Sequence, residues 1–409
     1  MSERRGDVDA DLDADVIVIG AGVVGCAIAR EIAGCTSSGR PLRVTLVEAR
    51  SDIGDATSKA NTAILHTGFD ATPGTMESAM VRRGYELLGA YAQQAGIPVE
   101  PIGAVLVAWD EEQLAALPSL LAKAEANGYP DAFLIDADEV NRRIPALGPG
   151  ARGGLVVPGE SIICPWTTPL AFATDALARG ARVVLDTRVT GIDAGADTTT
   201  LTVDGPDGVG QLRARWVINA AGLGSDLLDA QAGHDRFHLH PRRGQLIVFD
   251  KQARDLVNVI VLPVPSKVGK GVLVSPTVFG NVMLGPTAED FEDRTDTAIT
   301  ADGIAFLVDK GRAIMPALLE EEVTAMYAGL RAASDQPDFT VECDAGQRYV
   351  VVGGIRSTGL TASMALAEHV RGLIDAAEPL TERNDLPAPP QMPMIGEAFT
   401  RPYQRADLI

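Results

Sequence analysis

The most constraining feature of the chain is a glycine motif that lies between a buried strand and a helix. The segment DVIVIGAGVVGCAIAREIA carries Gly20, Gly22 and Gly25 in the spacing G-x-G-x-x-G, directly after an apolar run. In a dinucleotide-binding fold the first glycine permits a tight turn, and the second lets the backbone approach a pyrophosphate. The third lets the helix pack closely on the strand, and the helix N-terminus then faces the phosphates. The motif therefore predicts a Rossmann-like domain.

A carboxylate follows where the ribose of a bound adenosine would lie. Glu48 ends the second buried strand, RVTLVEA (43–49). A carboxylate at this place binds ribose hydroxyls and disfavours a 2′-phosphate, which indicates FAD or NAD. We expect this half of the cofactor to contact the helix start at Val23 and Val24 and the strand end at Glu48 and Ala49.

Two further strand–glycine–helix units favour FAD over NAD. They are WVINAAGLGSD (216–226) and VGGIRSTGLTASMALAEHV (352–370), and they would cover the second half of a longer dinucleotide. A helix that begins near Gly359 would direct its N-terminal amides at the flavin N1 and pyrimidine carbonyl, where a reduced flavin carries negative charge. The expected cofactor is therefore FAD, and an NAD dehydrogenase is the less favoured alternative.

The distribution of these motifs predicts the domain organisation. Nucleotide-binding patterns lie near the start, in the middle and near the end. Before the last of them, short strands such as GQLIVFD, GVLVSP and NVMLGP alternate with proline and glycine turns, which is typical of an antiparallel sheet. The predicted fold is α/β (α+β overall), a discontinuous Rossmann-like FAD-binding domain with an inserted antiparallel-sheet substrate domain. The predicted boundaries are a disordered acidic tail at 1–14, the FAD-binding domain at 15–95, 152–235 and 342–378, the substrate domain at 96–151 and 236–341, and a proline-rich tail at 379–409.

Two local patterns predict smaller elements. EEQLAALPSLLAKAEANG reads as two helices that are separated at Pro118, because proline removes a backbone donor and clashes with the preceding turn. ARVVLDTRVTGI (181–192) reads as one strand that follows a helix.

The amino-acid composition limits which binding partners and which cellular compartment we expect for the protein. The formal net charge is −20 over 409 residues, which argues against nucleic acids and anionic membranes as partners. No uncharged run reaches the ~18 residues of a membrane helix, and the acidic start lacks the pattern of a signal peptide. The four cysteines include no C-x-x-C pair, so we expect no metal site, no disulfide framework and a cytoplasmic location.

His66, in NTAILHTGFD, ends an apolar run and is one of only five histidines. Oxidation of an alcohol by hydride transfer requires removal of the hydroxyl proton, and a neutral imidazole suits that task near pH 7. His66 is therefore a candidate general base, and the alternative is a core histidine bonded to backbone. Asp70 either orients His66 or serves as a turn-forming acid.

Several basic residues are candidates for binding an anion. Arg331 lies in the otherwise uncharged turn GLRAAS, and a guanidinium holds a carboxylate or phosphate with two parallel hydrogen bonds. The alternative for Arg331 is an ion pair with Asp335. Arg356 is a similar candidate, and Lys267 and Lys270 either clamp a phosphate or lie in a solvated loop. The alternating histidines of FHLHPRR lack a third ligand, so no metal site is expected there.

Taken together, these segments resemble the D-amino-acid-oxidase-like superfamily of FAD-dependent oxidoreductases. The chain is most similar to the branch of FAD-dependent glycerol-3-phosphate dehydrogenases and 2-hydroxyglutarate oxidases, over nearly all of the sequence up to about residue 375. The resemblance rests on TSKANTAILHTGFDATPGT, INAAGLGSD, PRRGQ, KGVLVSPTVFGNVMLGPTAED, GLRAASD and GIRSTGLTAS. The combination of H-x-G-F-D with P-T-x-x-G-N-x-x-x-G-P-T is more specific than the glycine motif alone.

The resemblance implies roles for individual residues. His66 matches the active-site histidine, Arg331 matches the arginine that pairs with the substrate anion, and Lys270 and Ser357 match substrate-facing positions. The branch often has an acid and a proline where this chain has Arg356 and Thr358, which leaves the recognised anion open. Thr57, Ser58 and Asn61 match the loop along the flavin, and Val189 matches the adenine contact. Ala221 and Gly222 match the second nucleotide motif. The residues that match the surroundings of the flavin ring are Gly354, Thr358, Gly359, Leu360 and Thr361.

The expected function is FAD-dependent oxidation of a small anionic 2-hydroxy compound, with glycerol-3-phosphate favoured, hydride transfer to flavin N5 and His66 as the general base. One alternative is an oxidase or dehydrogenase of a 2-hydroxy acid such as 2-hydroxyglutarate, and another is an amine or amino-acid oxidase on the same fold. A third is a flavoprotein subunit of an electron-transfer complex, whose proline-rich end docks a partner. The electron acceptor is left open between oxygen, a quinone and an acceptor protein.

Overall fold

The structure is a computed structural model that describes residues 13–195, 197–265 and 271–393. Most of the predicted acidic tail, the last part of the predicted proline-rich tail and both Lys267 and Lys270 lie outside these residues. None of the described helices combines the length and the apolar character needed to cross a membrane.

Eight α-helices form within the described residues. Several begin at a polar N-cap, such as Thr75, Asp110 and Thr300, whose side chain accepts a hydrogen bond from the first helical turn. In chain order, helices α1 to α8 are Val23–Ala33, Met76–Ala95, Glu111–Ala126, Ala137–Arg143, Thr167–Ala178, Ser225–Gln231, Ala301–Ile314 and Gly359–Ala377.

The strands of the described residues form two large and two small sheets. In chain order, strands β1 to β23 are Ala14–Ile19, Cys35–Ser37, Arg40–Pro41, Val44–Val47, Ile64–Leu65, Val99–Glu100, Ala104–Ala108, Phe133–Asp136, Gly153–Val157, Ser161–Ile163, Arg182–Val184, Arg188–Asp193, Thr199–Gly205, Gly208–Asn219, Leu239–Phe249, Ile260–Pro263, Leu273–Pro276, Val282–Gly285, Glu289–Asp290, Val323–Ser334, Thr340–Asp344, Tyr349–Gly353 and Leu380–Glu382.

The first large sheet has a parallel core built around β1. Strand β1 lies between β4 and β14, β11 pairs with the outer edge of β4, and β22 pairs with the end of β14, all in parallel. Val16 and Val18 pack into one hydrophobic cluster, whereas Ile17 and Ile19 pack into another, because successive side chains of a strand point to opposite faces. The strand is buried on both faces, which explains its unbroken apolar sequence.

Helices cover one face of this sheet. Helices α1, α2, α5 and α8 contribute to the cluster of Val16 and Val18 through residues such as Ile28, Leu88 and Phe172. On the opposite face, α6 and the antiparallel meander of β12, β13 and the first part of β14 enclose Ile17 and Ile19. These layers place the glycine motif at the carboxyl end of β1, where ligands bind in doubly wound folds.

The second large sheet is mainly antiparallel and has the order β19-β15-β18-β17-β16-β7-β9-β8, with β20 on β15. Among the described strands of this sheet, only β16 and β7 pair in parallel. Helix α7 packs on this sheet through Leu307, which shares a cluster with Phe249 and Leu284. Strand β9, which the predicted boundary at residue 152 assigns to the nucleotide domain, pairs with β7 and β8 in this second sheet.

Two small sheets connect distant parts of the chain. Strand β10 pairs with β5 and β6, and β5 ends directly before His66. Strand β23 pairs with β2, and the Met392 N–H donates to the Ala95 carbonyl at the end of α2 at 2.8 Å. The described start of the predicted proline-rich tail therefore packs against the first domain.

The predicted break at Pro118 is wrong, because α3 runs through it as one helix. Leu117, Leu120 and Ala124 are buried in one hydrophobic cluster on the inner face of α3. Burial of this face holds the helix together across the missing backbone donor, since tertiary packing overrides intrinsic propensity.

The predicted single strand at 181–192 is also wrong. Strand β11 pairs with β4 at one edge of the first sheet, whereas β12 lies at the opposite edge and pairs with β13. Between them Asp186 adopts a left-handed backbone conformation with φ of 51°, and its N–H donates to the Arg50 carbonyl. The chain turns here beside Glu48 and Arg50, the residues that follow β4.

A buried carboxylate joins three helices on the covered face of the first sheet. Asp175 of α5 is fully buried and accepts hydrogen bonds from Arg30 Nε of α1 at 2.6 Å and from Arg179 Nε at 2.9 Å. The hydroxyl of Tyr91 in α2 also donates to it, at 3.2 Å. Because both arginines are nearly buried, removing this charge would leave Arg179 without its carboxylate partner and Arg30 with only the more distant Glu31, at 3.8 Å.

We therefore expect Asp175→Asn to lower the free energy of unfolding by about 3–5 kcal/mol, measured by urea denaturation of the flavin-free protein. The matched substitution Asp309→Asn removes an exposed carboxylate that pairs with Arg312, and it should cost below ~1 kcal/mol. Equal losses in the two variants would contradict a special role for the buried network.

Candidate active site

The glycine turn after β1 leaves no room for side chains. Gly20 has φ of +98°, and a Cβ on it would lie 2.6 Å from the Ala220 carbonyl oxygen. A Cβ on Gly25 would overlap the carbonyl oxygen of Gly20. The close approach of α1 to the turn therefore requires glycine at both positions, as the motif predicts.

The N-terminus of α1 has the properties of an anion site. Gly22 occupies the N-cap without a capping side chain, and the first turn contains no acidic residue. The Val23 N–H donates to Ser58 Oγ at 2.9 Å, which places the Ser58 loop beside the first turn at Val23 and Val24. The backbone amides of a helix's first turn are hydrogen-bond donors that suit a pyrophosphate.

Glu48 lies beside the same turn. Its Oε2 accepts from the Ala21 N–H at 2.7 Å, and its Oε1 accepts from the Arg50 N–H at 2.9 Å. These bonds orient the carboxylate at the end of β4, next to Ala49, where it would meet ribose hydroxyls. Val189 lies in β12 and packs in the cluster on the Ile17 face of the sheet.

The second half of a dinucleotide would meet two more glycine turns. The Ala221 N–H donates to Asn219 Oδ1 at 3.3 Å, directly before the 3-10 turn Gly222–Gly224. Helix α8 begins at Gly359 after Thr358, which gives no side-chain cap, and its first turn holds no acid. The residues predicted to surround the flavin include both turns and Gly354, which follows β22 with φ of +65°.

The predicted flavin loop is held between the two domains. The Thr57 hydroxyl donates to the Leu330 carbonyl of β20 at 2.6 Å. Asn61 stabilises the loop itself, because its Nδ2 donates to the Ser58 carbonyl at 2.7 Å and its Oδ1 accepts from the Ala63 N–H. Tyr327 of β20 donates its hydroxyl to the Asn61 carbonyl at 2.9 Å, and burial raises the pKa of this tyrosine to about 12.

His66 is anchored from two sides. Its backbone N–H donates to Thr361 Oγ1 in the first turn of α8 at 3.0 Å. Its ring Nδ1 lies 2.9 Å from Oε2 of Glu160, a fully buried carboxylate. The carboxylate at this ring is thus Glu160, and Asp70 occupies the turn that follows. The structure brings His66 to the N-terminus of the helix that is predicted to face the flavin.

Arg331 is mostly buried and lies on the side of β20 that carries Tyr327 and Gly329, because strand side chains alternate. Within the described residues its hydrogen bond is to the Thr287 carbonyl, from Nη2 at 2.7 Å. Burial, together with the charge of Arg242, lowers the pKa of the Arg331 guanidinium, and Asp290 opposes this. The alternative ion pair with Asp335 does not form among the described residues, where Asp335 lies beside His238 instead.

The positions of the remaining predicted substrate residues say less about substrate binding. Arg356 Nη2 donates to the Pro337 carbonyl at 2.7 Å and to Glu77 Oε2 at 3.3 Å, so it already has two partners. Ser357 is exposed before α8. Lys270 lies outside the described residues. A substrate contact for these three remains a prediction.

Three residues of this region were not anticipated from the sequence, namely Glu160, Tyr327 and Glu77. Glu77 accepts from the Thr358 hydroxyl at 2.8 Å as well as from Arg356. Tyr327 has a signal in the sequence, since it precedes Arg331 by four positions and shares its face of β20. Within the described residues, no group of three or more histidine, cysteine or acidic side chains is suited to hold a metal ion.

Three glycine turns, each after a strand of the parallel core, are accompanied by an acid after the second parallel strand and a histidine beside an antiparallel sheet. Together these features are typical of a two-domain dinucleotide-dependent oxidoreductase. The family model described as FAD dependent oxidoreductase (DAO) matches residues 15–373.

Individual relatives agree with this match. The chain is 34% identical to a glycerol 3-phosphate dehydrogenase of Caloramator mitchellensis, over 87% of this chain and 72% of the relative. It is 31% identical to a glycerol 3-phosphate oxidase of Mycoplasma pneumoniae, over 88% of this chain and 94% of the relative. The solved structure of reduced L-alpha-glycerophosphate oxidase from Mycoplasma pneumoniae with FAD bound has a TM-score of 0.87, 29% identity, and coverage of 93% of this chain and 99% of that one.

The chain therefore belongs to the DAO family of FAD-dependent oxidoreductases, and FAD is its cofactor. The predicted family, cofactor and fold class are confirmed.

Gly329 offers a test of how the two domains meet. A Cβ at this position would overlap the Ala60 carbonyl oxygen and lie 2.9 Å from the Ala60 Cβ. We expect Gly329→Ala to displace the flavin loop and to weaken FAD binding by at least ~10-fold, which corresponds to about 1.4 kcal/mol, measured by flavin fluorescence titration.

Gly89, in the middle of α2, provides the matched control because a Cβ there meets open space. Gly89→Ala should leave FAD affinity unchanged and stabilise the fold by roughly 0.5–1 kcal/mol. Unaltered FAD binding by Gly329→Ala would show that the loop tolerates the displacement.

Proposed function

We propose that this protein oxidises glycerol-3-phosphate at carbon 2, with FAD as the oxidant. The names of the two relatives described above support this substrate. The observation that carries the proposal is the partly buried guanidinium of Arg331, which lies on the strand that holds the flavin loop and has no bound carboxylate partner among the described residues. A phosphate fits this site, since Arg binds phosphate oxygens through two parallel hydrogen bonds.

His66 performs the proton transfer in this proposal. As carbon 2 loses hydride, its hydroxyl loses a proton to the imidazole, and the carbon–oxygen double bond forms to give the ketone. Bound FAD supplies the acceptor for the hydride. The hydrogen bond from the His66 N–H to Thr361 supports this role, because it fixes the base against the helix expected to face the flavin.

Arg331 orients the substrate in the same proposal. An anion held at β20 would place the neighbouring carbons toward the flavin loop, because Thr57 bonds to Leu330 and Asn61 bonds to Tyr327. Ser357 and Lys270 are further proposed contacts of the phosphate. We also propose a cytoplasmic location, which the free thiols of Cys26, Cys35, Cys164 and Cys343 support.

The substrate is tested by anaerobic bleaching of the flavin absorbance. Glycerol-3-phosphate should reduce the flavin rapidly, whereas glycerol, which lacks the anion, should do so poorly. Rapid bleaching by 2-hydroxyglutarate or by an amino acid, but not by glycerol-3-phosphate, would replace the proposal with the corresponding alternative. Oxygen, a soluble quinone or an acceptor protein added to the reduced enzyme then identifies the electron acceptor.

The anion anchor is tested by Arg331→Met, which keeps most of the side-chain volume and removes the charge. We expect KM for glycerol-3-phosphate to rise about 10- to 100-fold, because a hydrogen-bonded charge contributes ~1.5–3 kcal/mol. Activity with glycerol should change little. Arg356→Met is the companion variant: a rise in KM as large as that for Arg331→Met would assign the anchor to both arginines, and an unchanged KM for Arg331→Met would reject its role.

A further inference from the structure

Glu160 is a fully buried acid that directs its carboxylate to the segment carrying His66. Its Oε1 accepts from the Thr67 N–H at 2.7 Å and from the Thr67 hydroxyl at 2.9 Å. Its Oε2 lies 2.9 Å from His66 Nδ1. The two oxygens therefore have different partners, Thr67 through its N–H and hydroxyl for Oε1 and the imidazole ring for Oε2.

The turn that carries Glu160 is itself held in place. The Gly159 N–H donates to the Tyr129 hydroxyl at 2.6 Å, and the Gly159 carbonyl accepts from the Tyr85 hydroxyl at 2.9 Å. A Cβ at Gly159 would lie 2.9 Å from Thr67 Cγ2, so the turn packs directly on the histidine segment. Strands β9 and β10 flank this turn and tie it to two different sheets.

From these contacts we infer that Glu160 is a positioning residue that keeps the ring hydrogen of His66 on Nδ1 and leaves Nε2 free to accept the substrate's hydroxyl proton. The inference rests on the proposed role of His66 as base. An ionised carboxylate only accepts hydrogen bonds, so Nδ1 must donate to Oε2. In a neutral imidazole the other nitrogen then carries the lone pair that a base needs.

The substitution Glu160→Gln tests this inference, because the contacts of Glu160 determine how the glutamine amide must be oriented. The Thr67 N–H can only donate, so it requires the amide oxygen of the glutamine at the Oε1 position. The amide NH₂ then faces His66 Nδ1, which must accept, and the ring hydrogen moves to Nε2. This tautomer cannot take the hydroxyl proton. We expect kcat, and the rate of anaerobic flavin reduction, to fall ~10²–10⁴-fold, with KM little changed because Arg331 binds the anion.

Two control variants separate positioning from packing. His66→Gln sets the rate expected when the base is absent. Tyr129→Phe disturbs the same turn without touching the carboxylate, so it should retain most of the wild-type kcat. A loss of kcat in Tyr129→Phe as large as that in Glu160→Gln would overturn the inference.

The tautomer is read directly from the ring ¹⁵N shifts of histidine-labelled holoenzyme, in which His66 is assigned by its absence from His66→Gln. The wild type should show the Nδ1–H form at a pH where the ring is neutral, and Glu160→Gln should show the Nε2–H form. An Nε2–H ring in the wild type would overturn the inference even if the variant fails to fold. Slow His66→Gln with normal Glu160→Gln would reject the role of Glu160 alone, whereas a normal rate in His66→Gln would reject the proposed base itself.

Discussion

The segment from Thr57 to His66 is the element on which the site depends, because it is bonded to three separate parts of the fold. Ser58 accepts from the first turn of α1, Thr57 donates to β20 of the second sheet, and the His66 N–H donates to Thr361 in α8. Each bond joins residues that are far apart in sequence. The position of His66 is therefore defined only once both domains and the last helix have assembled, and loop and histidine cannot shift independently.

The parts of the site that the sequence predicts are those whose constraints are local. Gly20 and Gly25 are recognisable because the strand, the turn and the helix that need them are contiguous, and the overlap that a Cβ on Gly25 would cause is with Gly20 itself. The end of β4 at Glu48 and the start of α8 at Gly359 are equally local features. The second sheet could be anticipated as antiparallel from its short strands, whereas its parallel pair β16–β7 joins segments with no common sequence signal.

What the sequence does not reveal depends on tertiary contacts. Glu160 meets His66 only because β10 pairs with β5 in a small sheet, and nothing in its own surroundings marks it as a partner of a histidine. Asp70 is the acid nearer to His66 in sequence, and it is therefore the candidate that the sequence alone offers. The break predicted at Pro118 is wrong for a related reason, since the burial that holds α3 together comes from strands elsewhere in the chain. The local propensity of a segment permits more than one secondary structure or partner, and tertiary packing determines which one forms.

The arginines near β15 and β20 show why residue type alone does not identify a binding group. Arg242 is paired with both oxygens of Asp290, and buried Arg243 is paired with Glu289 and Asp296. Their charges are compensated within the protein, so they stabilise the edge of the sheet. Arg331 lies opposite Arg242 across the same strand pair, yet its hydrogen bond within the described chain is to a neutral carbonyl. Burial and the charge of Arg242 lower the pKa of Arg331, while Asp290 opposes this, so the proposed anion would offset the desolvation of the guanidinium. The proposed anion site is therefore assigned to Arg331, whose guanidinium bonds to a neutral carbonyl, rather than to Arg242 or Arg243, whose charges are already paired with carboxylates.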